Sequence, residues 1–274
     1  MIQSSTMFKK ILFPIFAVSY LFFLSCNSNN HKNTLVVAGS TSVQPFAEGL
    51  AEIYTGKNKS VEINIQGGGS SAGIQAAQSG IAEIGMSSRN LKDKEVDKLK
   101  PIIIAYDAIA VVVNPSNPVN DMSLEDIRGI FGRKITNWKD LGGEDIEIDA
   151  ITREDGSGTR GAFQELVMGK ENYISNACMV QDSNGSVREM VKADPWAIGY
   201  ISLGLVNRDV KAIKVGGVFP TLENLKNKEY KFLRPFLFVY SKEPSEEGWK
   251  FINFVLSDEG QEFLVKEGLI AVKG

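Results

Sequence analysis

The sequence has very little cysteine and histidine. Its 274 residues include two cysteines, Cys26 and Cys178, and one histidine, His31. A zinc site built from these side chains is therefore excluded in practice, because it would need three or four of them. A Ser-His-Asp triad would depend on His31 alone, which lies in a polar N-terminal stretch. With so little cysteine, burial of apolar surface must hold the fold, and we expect Cys178 to be packed as a small hydrophobe.

The sequence also lacks an excess of positive charge. It contains 30 basic and 33 acidic side chains, a net charge of −3. Residues 1–25 hold two lysines and no acidic residue, so their removal leaves 28 basic side chains and a net charge of −5. No basic run is present, and nucleic acid is not expected as a partner. A small anion would have to be held by local geometry.

Residues 1–25 have the pattern of a secretory signal peptide. Lys9 and Lys10 precede the apolar run 11–24, which is short for a membrane span and stops just before Ser25-Cys26. Two alternatives to a lipoprotein signal are a plain signal peptide with an incidental cysteine and an uncleaved N-terminal membrane anchor. Met1 and Met7 are both candidate start residues.

The end of this segment resembles a bacterial lipobox. Residues 23–26 read Phe-Leu-Ser-Cys, so we expect Cys26 to be lipidated and to become the new N-terminus. The polar residues that follow predict a flexible tether over 26–33. The protein is then expected outside the cytoplasm, attached to a bacterial membrane through Cys26.

After the tether, strand-length apolar runs alternate with amphipathic helical patterns. This order predicts an α/β fold with parallel or mixed sheets. Strands are expected at 35–38, 61–66, 84–86, 102–105, 108–113, 146–152, 198–201, 212–215 and 234–239. The chain would leave one lobe near residue 107 and return near 233, which gives two discontinuous lobes. Lobe I is predicted to comprise 34–107 and 233–274, and lobe II 108–232.

Three turns rich in serine and glycine each join a predicted strand to a predicted helix. They lie at 38–42, 67–71 and 152–160. Helix N-termini carry unpaired N–H groups and a partial positive charge, so each turn is suited to an anion. Hydroxyl groups add neutral donors, and Arg153 adds a charged fork that fits an oxyanion. If the turns converge, they form an oxyanion site.

Each turn has other interpretations. The spacing Gly67-x-Gly69-x-x-Ala72 approaches a dinucleotide fingerprint, although it follows the second predicted strand rather than the first. The spacing Gly69-x-Ser71-x-Gly73 also matches a nucleophile elbow, but no histidine base accompanies it. The turn at 67–71 could also be a tight strand–helix connection without a ligand, and the turn at 152–160 an N-cap with an external ion pair. A fourth polar turn, 182–186, is at least as typical of a helix cap as of a ligand contact.

The segment 152–160 gives the strongest signal. Gly156 and Gly158 allow close approach of the backbone, while Ser157 and Thr159 supply hydroxyl groups at favoured capping positions. Asp155 is expected to brace Arg153. Arg89 and Arg160 are expected to be solvated or to brace the cleft, with a ligand role for Arg89 left open.

Together these segments resemble the PstS-type phosphate-binding proteins of bacterial phosphate ABC importers. The resemblance spans nearly the whole chain after the signal peptide, and it includes 127–138 and 197–200 as further landmarks. It implies a two-lobed type II periplasmic-binding-protein fold with two hinge crossovers and a ligand cleft. It also implies a monomer without a cofactor or metal, which hands phosphate to a membrane permease and is not an enzyme. The expected phosphate-binding residues are Ser40, Thr41, Ser42, Ser70, Ser71, Ser88, Arg153, Ser157, Gly158 and Thr159.

One position departs from the family pattern. Better-known members have an aspartate that accepts a proton from phosphate, and here that position is Ser88. A carboxylate acceptor rejects fully ionised sulfate, because two acceptors facing each other stay unsatisfied. Asp107, at the predicted crossover, is the candidate substitute. Sulfate or molybdate is therefore an alternative ligand. The sequence favours a secreted hydrolase or phosphatase less, because it offers neither a histidine base nor a dense cluster of metal ligands.

Overall fold

The structure is a computed structural model and describes residues 33–272. The predicted signal peptide, Cys26 and His31 lie outside the described residues. The strands are β1 (Asn33–Gly39), β2 (Val61–Gln66), β3 (Ile84–Ser87), β4 (Lys100–Val113), β5 (Asp121–Met122), β6 (Asp149–Arg153), β7 (Met179–Gln181), β8 (Ala197–Ser202), β9 (Lys211–Ala212), β10 (Lys214–Val215) and β11 (Leu233–Tyr240). The α-helices are α1 (Gln44–Lys57), α2 (Ser70–Ser79), α3 (Asp93–Val96), α4 (Leu124–Phe131), α5 (Gly158–Phe163), α6 (Asn184–Ala193), α7 (Leu222–Lys226), α8 (Glu246–Val255) and α9 (Asp258–Lys266).

Most strands join one mixed sheet. Their order is β2-β1-β3-β11-β4-β8-β6-β7, with β9 paired to β4, while β5 and β10 form a separate pair. At one end β1 runs parallel to β2 and β3, and at the other β6 runs parallel to β7 and β8. In the middle, β4 and β11 are antiparallel to each other and to their outer neighbours β8 and β3. The predicted α/β class with a mixed sheet is confirmed.

Two large hydrophobic cores occupy the two ends of this sheet. The first core is built from residues of 35–105 and 236–269, and Leu50 and Phe251 are fully buried in it. The second core is built from residues of 108–232. Its centre is aromatic: the rings of Phe163 and Tyr200 stack at 3.8 Å between centroids, and Phe131 meets both edge-on. Burial of these side chains supplies the main stabilising term for each half.

The strands β4 and β11 connect the two cores. The prediction of separate strands at 102–105 and 108–113 was wrong, since β4 runs without a break from Lys100 to Val113. Asp107 interrupts the apolar pattern there, but it lies opposite Arg234 in the β4–β11 ladder. Because these two charges neutralise each other, the strand continues through the buried position.

Other boundaries also differ from the sequence expectations. The helical segment after the turn 152–160 is not one regular helix: α5 is followed by a π-helical turn over Gln164–Met168, in which the Gly169 N–H donates to the Gln164 carbonyl. The short strand β7 was not predicted, because it has only three residues and exposes Val180. Within residues 33–272, no helix combines the length and the apolar character needed to cross a bilayer.

Many serines of the chain serve as helix caps. A serine hydroxyl accepts a backbone N–H at the start of α4, α5, α6, α8 and α9. Such caps satisfy N–H groups that the helix itself leaves unpaired. Serine content alone therefore does not mark a ligand site. The starts of α1, α2 and the short helix α3 have no side chain that accepts a cap hydrogen bond, and of these α1 and α2 follow two of the predicted turns.

Candidate anion-binding site

The three predicted turns meet at one place in the fold. The turn after β1 leads into α1, the turn after β2 into α2, and the turn after β6 into α5. Within each parallel group the carboxyl ends of the strands lie at the same sheet edge, which is where α/β folds place ligands. The end of β3 joins them, because Ser40 N donates to the Met86 carbonyl at 3.0 Å.

On the side of the first core, three serines form a buried hydroxyl cluster. Ser40 Oγ donates to Ser88 Oγ at 2.9 Å, and Ser70 Oγ lies 3.4 Å from Ser88 Oγ. Ser88 N donates to Ser70 Oγ at 3.0 Å, which ties the turns after β2 and β3 together. The position that carries an aspartate in better-known members is thus a serine held within a hydroxyl network.

The turn after β6 closes onto this cluster. Ser71 N donates to the Gly156 carbonyl at 3.0 Å, and the hydroxyl oxygens of Ser42 and Thr159 are 2.7 Å apart. Gly158 packs so closely that a Cβ there would collide with the hydroxyl oxygens of Ser70 and Ser88. Only glycine fits at this position without displacing the cluster.

Arg153 is the charged centre of the site. Its side chain is 1% exposed, and its guanidinium donates to Glu154 through Nε at 3.0 Å and Nη2 at 3.1 Å. Nη2 also donates to Thr41 Oγ1 at 3.1 Å and to the Asp182 carbonyl at 2.8 Å, and Nε to the Gln181 carbonyl. Nη1 is buried and has no hydrogen-bond partner among residues 33–272. A buried charged donor without an acceptor is costly, so an acceptor supplied by a ligand would stabilise it.

The bracing of Arg153 differs from the expectation. Glu154, not Asp155, pairs with the guanidinium. The Asp155 side chain is 97% exposed and lies 3.3 Å from Arg160. Asp155 occupies the tip of the turn, whereas Glu154 stays beside Arg153 at the end of β6, where its carboxylate receives two parallel bonds.

Two further arginines support the turns. Arg89 forms a bidentate ion pair with Glu95 at 2.8 and 2.9 Å and donates to Ser71 Oγ at 3.3 Å. Arg160 donates to the Arg153 carbonyl at 2.7 Å. Ser157 Oγ accepts from Arg160 N at 3.2 Å and so acts as the N-cap of α5. Both arginines brace the turns, which was one of the two expectations.

Asp107 lies beneath the hydroxyl cluster in a buried ion pair with Arg234. Asp107 Oδ2 accepts from Arg234 Nε at 2.9 Å and Nη2 at 2.8 Å, while Arg234 Nη1 donates to the Ser88 carbonyl at 3.4 Å. Burial raises the pKa of the Asp107 carboxyl, and the charge of Arg234 opposes that rise only in part. Asp107 Oδ1 has no hydrogen bond of normal geometry to any described residue. Direct contact between Asp107 and a ligand stays a prediction.

Comparison with known proteins identifies the family of this chain. A family model described as a PBP superfamily domain matches residues 27–259. The chain is 30% identical to the phosphate-binding protein PstS of Bacillus subtilis over 239 residues, which cover 85% of this chain and 79% of that protein. The chain therefore belongs to the PstS family within the PBP superfamily. This is a family of solute-binding proteins of ABC transporters and not a class of enzymes.

Solved structures of the PstS family extend the comparison. A substrate-binding protein assigned to a phosphate ABC transporter of Clostridium perfringens, solved with bound phosphate, is 48% identical with a TM-score of 0.85. The match covers 88% of this chain and all of that one. An ABC-type phosphate transport receptor from Vibrio cholerae is 36% identical with a TM-score of 0.72, over 87% of this chain and all of that one. The predicted two-lobed fold is confirmed.

Three residues that contribute to the site were not predicted from the sequence. Glu154 adjoins Arg153 in the sequence, but nothing in the pattern favours it over Asp155. Arg234 marks only the start of a strand in the sequence, although it is buried beside Asp107. Asn184 belongs to the fourth polar turn, and its Nδ2 donates to Ser42 Oγ at 2.9 Å. That turn is a helix cap, through Ser183, and a contact to the site as well.

Proposed function

We propose that this protein captures inorganic phosphate between its two cores and delivers it to the permease of an ABC importer. The observation that carries the proposal is Arg153 Nη1, a buried cationic donor without a partner among the described residues, set among converging hydroxyl groups. Phosphate supplies the acceptor that this group needs. Family membership and the phosphate named for the relatives support the same conclusion.

Phosphate oxygens would be bound by neutral hydroxyl donors and by one cation, Arg153. We assign the donor role to the hydroxyl groups of the converging turns, with Ser157 acting as the N-cap of α5. These donors are Ser40, Thr41, Ser42, Ser70, Ser71, Ser88 and Thr159. The close packing of Gly158 brings the start of α5 up against the cluster. A dry site of this kind stabilises an anion through fixed donors, without the help of a positive overall charge.

Selection of phosphate over sulfate would depend on an acceptor. Near neutral pH phosphate keeps at least one proton and sulfate keeps none, so hydroxyl groups and Arg153 alone bind either ion. Asp107 Oδ1 is the candidate acceptor, because it is buried and has no direct hydrogen bond to a residue of 33–272, although the Ser202 hydroxyl and the Gly204 N–H lie near the carboxyl. Glu154 is occupied by Arg153 and cannot serve in the same way.

Calorimetric titration of the protein with phosphate, sulfate and molybdate tests the function directly. Phosphate should bind with a 1:1 stoichiometry and more tightly than either competitor. Tighter binding of sulfate or molybdate would reassign the protein to another oxyanion, and no binding of any of the three would refute the proposed site.

Binding should also draw the two lobes together. We propose that lobe I (34–107 and 233–274) and lobe II (108–232) move about β4 and β11, because a ligand that touches both favours the closed state. Small-angle scattering should show a smaller radius of gyration with saturating phosphate than without it. An unchanged profile would point to a site that is already closed.

The protein would act outside the cytoplasm, as a monomer held to a membrane by lipid on Cys26. Stable attachment requires more than one hydrophobic chain, which a bacterial lipoprotein carries on its N-terminal cysteine. Cys26→Ser should therefore move the protein from the membrane to the soluble fraction. Retention of this variant in the membrane would support an uncleaved N-terminal helix.

A further inference from the structure

The buried amide of Asn184 bridges the two sides of the cleft. Asn184 is the first residue of α6, which packs against β6 and β8. Its exposed fraction is 2%. Its Nδ2 donates to Ser42 Oγ at 2.9 Å, in the turn between β1 and α1. The protein is therefore joined across the cleft by a side chain that the family resemblance did not single out.

The orientation of this amide is fixed by a backbone group. Ser202 N donates to Asn184 Oδ1 at 3.1 Å, and a backbone N–H can only donate. Oδ1 must therefore be the acceptor, which leaves Nδ2 as the group that faces Ser42. Because the amide donates to Ser42 Oγ, this oxygen accepts one hydrogen bond with a lone pair.

The next hydrogen bond has two possible directions, and both lead to the same result. Ser42 Oγ and Thr159 Oγ1 lie 2.7 Å apart, so one of them donates to the other. If Ser42 donates, the Thr159 proton remains available, and if Thr159 donates, the Ser42 proton remains available. In both arrangements the pair offers one hydroxyl proton outward, and the incoming bond from Asn184 polarises it in that direction.

We propose that Asn184 is a positioning residue that makes the Ser42–Thr159 pair a hydrogen-bond donor to an unprotonated phosphate oxygen. The proposal rests on the proposed function, since both hydroxyl groups belong to the phosphate site. It also requires the proton of phosphate to lie on an oxygen that does not contact this pair. Asn184 itself acts through Ser42.

The inference is tested by a double-mutant cycle between Asn184 and Ser42, read by phosphate calorimetry. Asn184→Ala should weaken binding by roughly 3- to 10-fold, the value of one net hydrogen bond. In the Ser42→Ala background the same substitution should change binding by less than about twofold, because the hydroxyl that it orients is gone. An equal loss in both backgrounds would overturn the proposal, because Asn184 would then affect binding without Ser42.

Asn184→Asp provides an independent test. Its carboxylate accepts from Ser42, so Ser42 must turn its proton inward, Thr159 must donate to Ser42, and no proton is left for phosphate. We expect Asn184→Asp to bind phosphate about tenfold more weakly than Asn184→Ala, and removal of the Ser42 hydroxyl should abolish part of that difference. If Asn184→Asp binds as well as Asn184→Ala, the proposal is wrong.

Two controls separate the possible failures. Thermal unfolding without phosphate should give similar midpoints for Asn184→Ala in both Ser42 backgrounds, so that a difference in binding is not a difference in folding. The wild-type titration stands apart: if the wild type does not bind phosphate, the proposed function fails. If the wild type binds and the cycle is additive, only the role of Asn184 fails.

Discussion

Two buried arginines, Arg153 and Arg234, meet the same cleft and differ in what they leave unpaired. Each is at most 2% exposed, and each gives two hydrogen bonds to a carboxylate. Arg234 also donates through Nη1 to the Ser88 carbonyl, so all three of its nitrogens are engaged. Arg153 leaves Nη1 without a partner in residues 33–272. An arginine whose donors are all used holds a fold together, and one with a spare buried donor is suited to a ligand.

The partners of the two arginines differ in the same sense. Arg234 pairs with Asp107 across 127 residues, on the two strands that connect the cores. Arg153 pairs with its neighbour Glu154, and its other hydrogen bonds reach Thr41 and the Gln181 and Asp182 carbonyls in the turns of the site. Loss of the first pair should therefore damage the fold, and loss of Arg153 should damage binding.

The largest effect is expected for Arg234→Ala on stability. The substitution leaves the Asp107 carboxylate buried without its cation, which costs about 3–5 kcal/mol of unfolding free energy. Urea denaturation followed by circular dichroism measures the loss, with the exposed Arg208→Ala as the matched control. A loss below about 1 kcal/mol would show that the pair is not structural.

This loss should depend on pH in a defined direction. Burial already raises the pKa of Asp107, and removal of Arg234 raises it further. A carboxyl whose pKa is raised by folding destabilises the folded state more as the pH increases above its unfolded value. The stability difference from wild type should therefore be smaller near about pH 5 than near about pH 8.

Arg153→Ala comes next and should act on phosphate affinity. Removal of a charged donor from a buried anion should weaken binding by about 2–5 kcal/mol, while the fold survives. Calorimetry and thermal unfolding of the same sample separate the two effects. A phosphate affinity within threefold of wild type would show that Arg153 does not bind the ligand. The two arginines would then not differ in function.

The smallest effect is expected for Asp107→Asn on ion selectivity. An amide in place of the carboxylate can donate to either ion, so the preference for phosphate over sulfate should fall by roughly 5- to 10-fold, about one net hydrogen bond. Competition calorimetry on the folded fraction measures this ratio. An unchanged ratio would leave Asp107 as the structural partner of Arg234 alone, whatever the variant does to stability.

Prediction from sequence succeeded where the signal was local. The turns that contain Ser40, Ser70 and Arg153 stand out because glycine and serine recur between an apolar strand and an amphipathic helix, with an arginine added in the third turn. Prediction failed where the partner is distant in the sequence, or where two carboxylates follow the same arginine. Asp155 and Glu154 both adjoin the arginine region, and only the geometry at the end of β6 decides which carboxylate reaches the guanidinium.

The sequence by itself determined the α/β class, the family and the set of turns that carry donors, since each depends on spacing along a few residues. The tertiary structure decided the rest. It joined β4 through Asp107 by placing Arg234 opposite, and it brought Asn184 to Ser42 across 142 residues. It also left Nη1 of Arg153 without a hydrogen-bond partner in the described part of the chain. These outcomes depend on which buried polar groups find each other after the chain folds, and burial makes every such pairing, or its absence, energetically decisive.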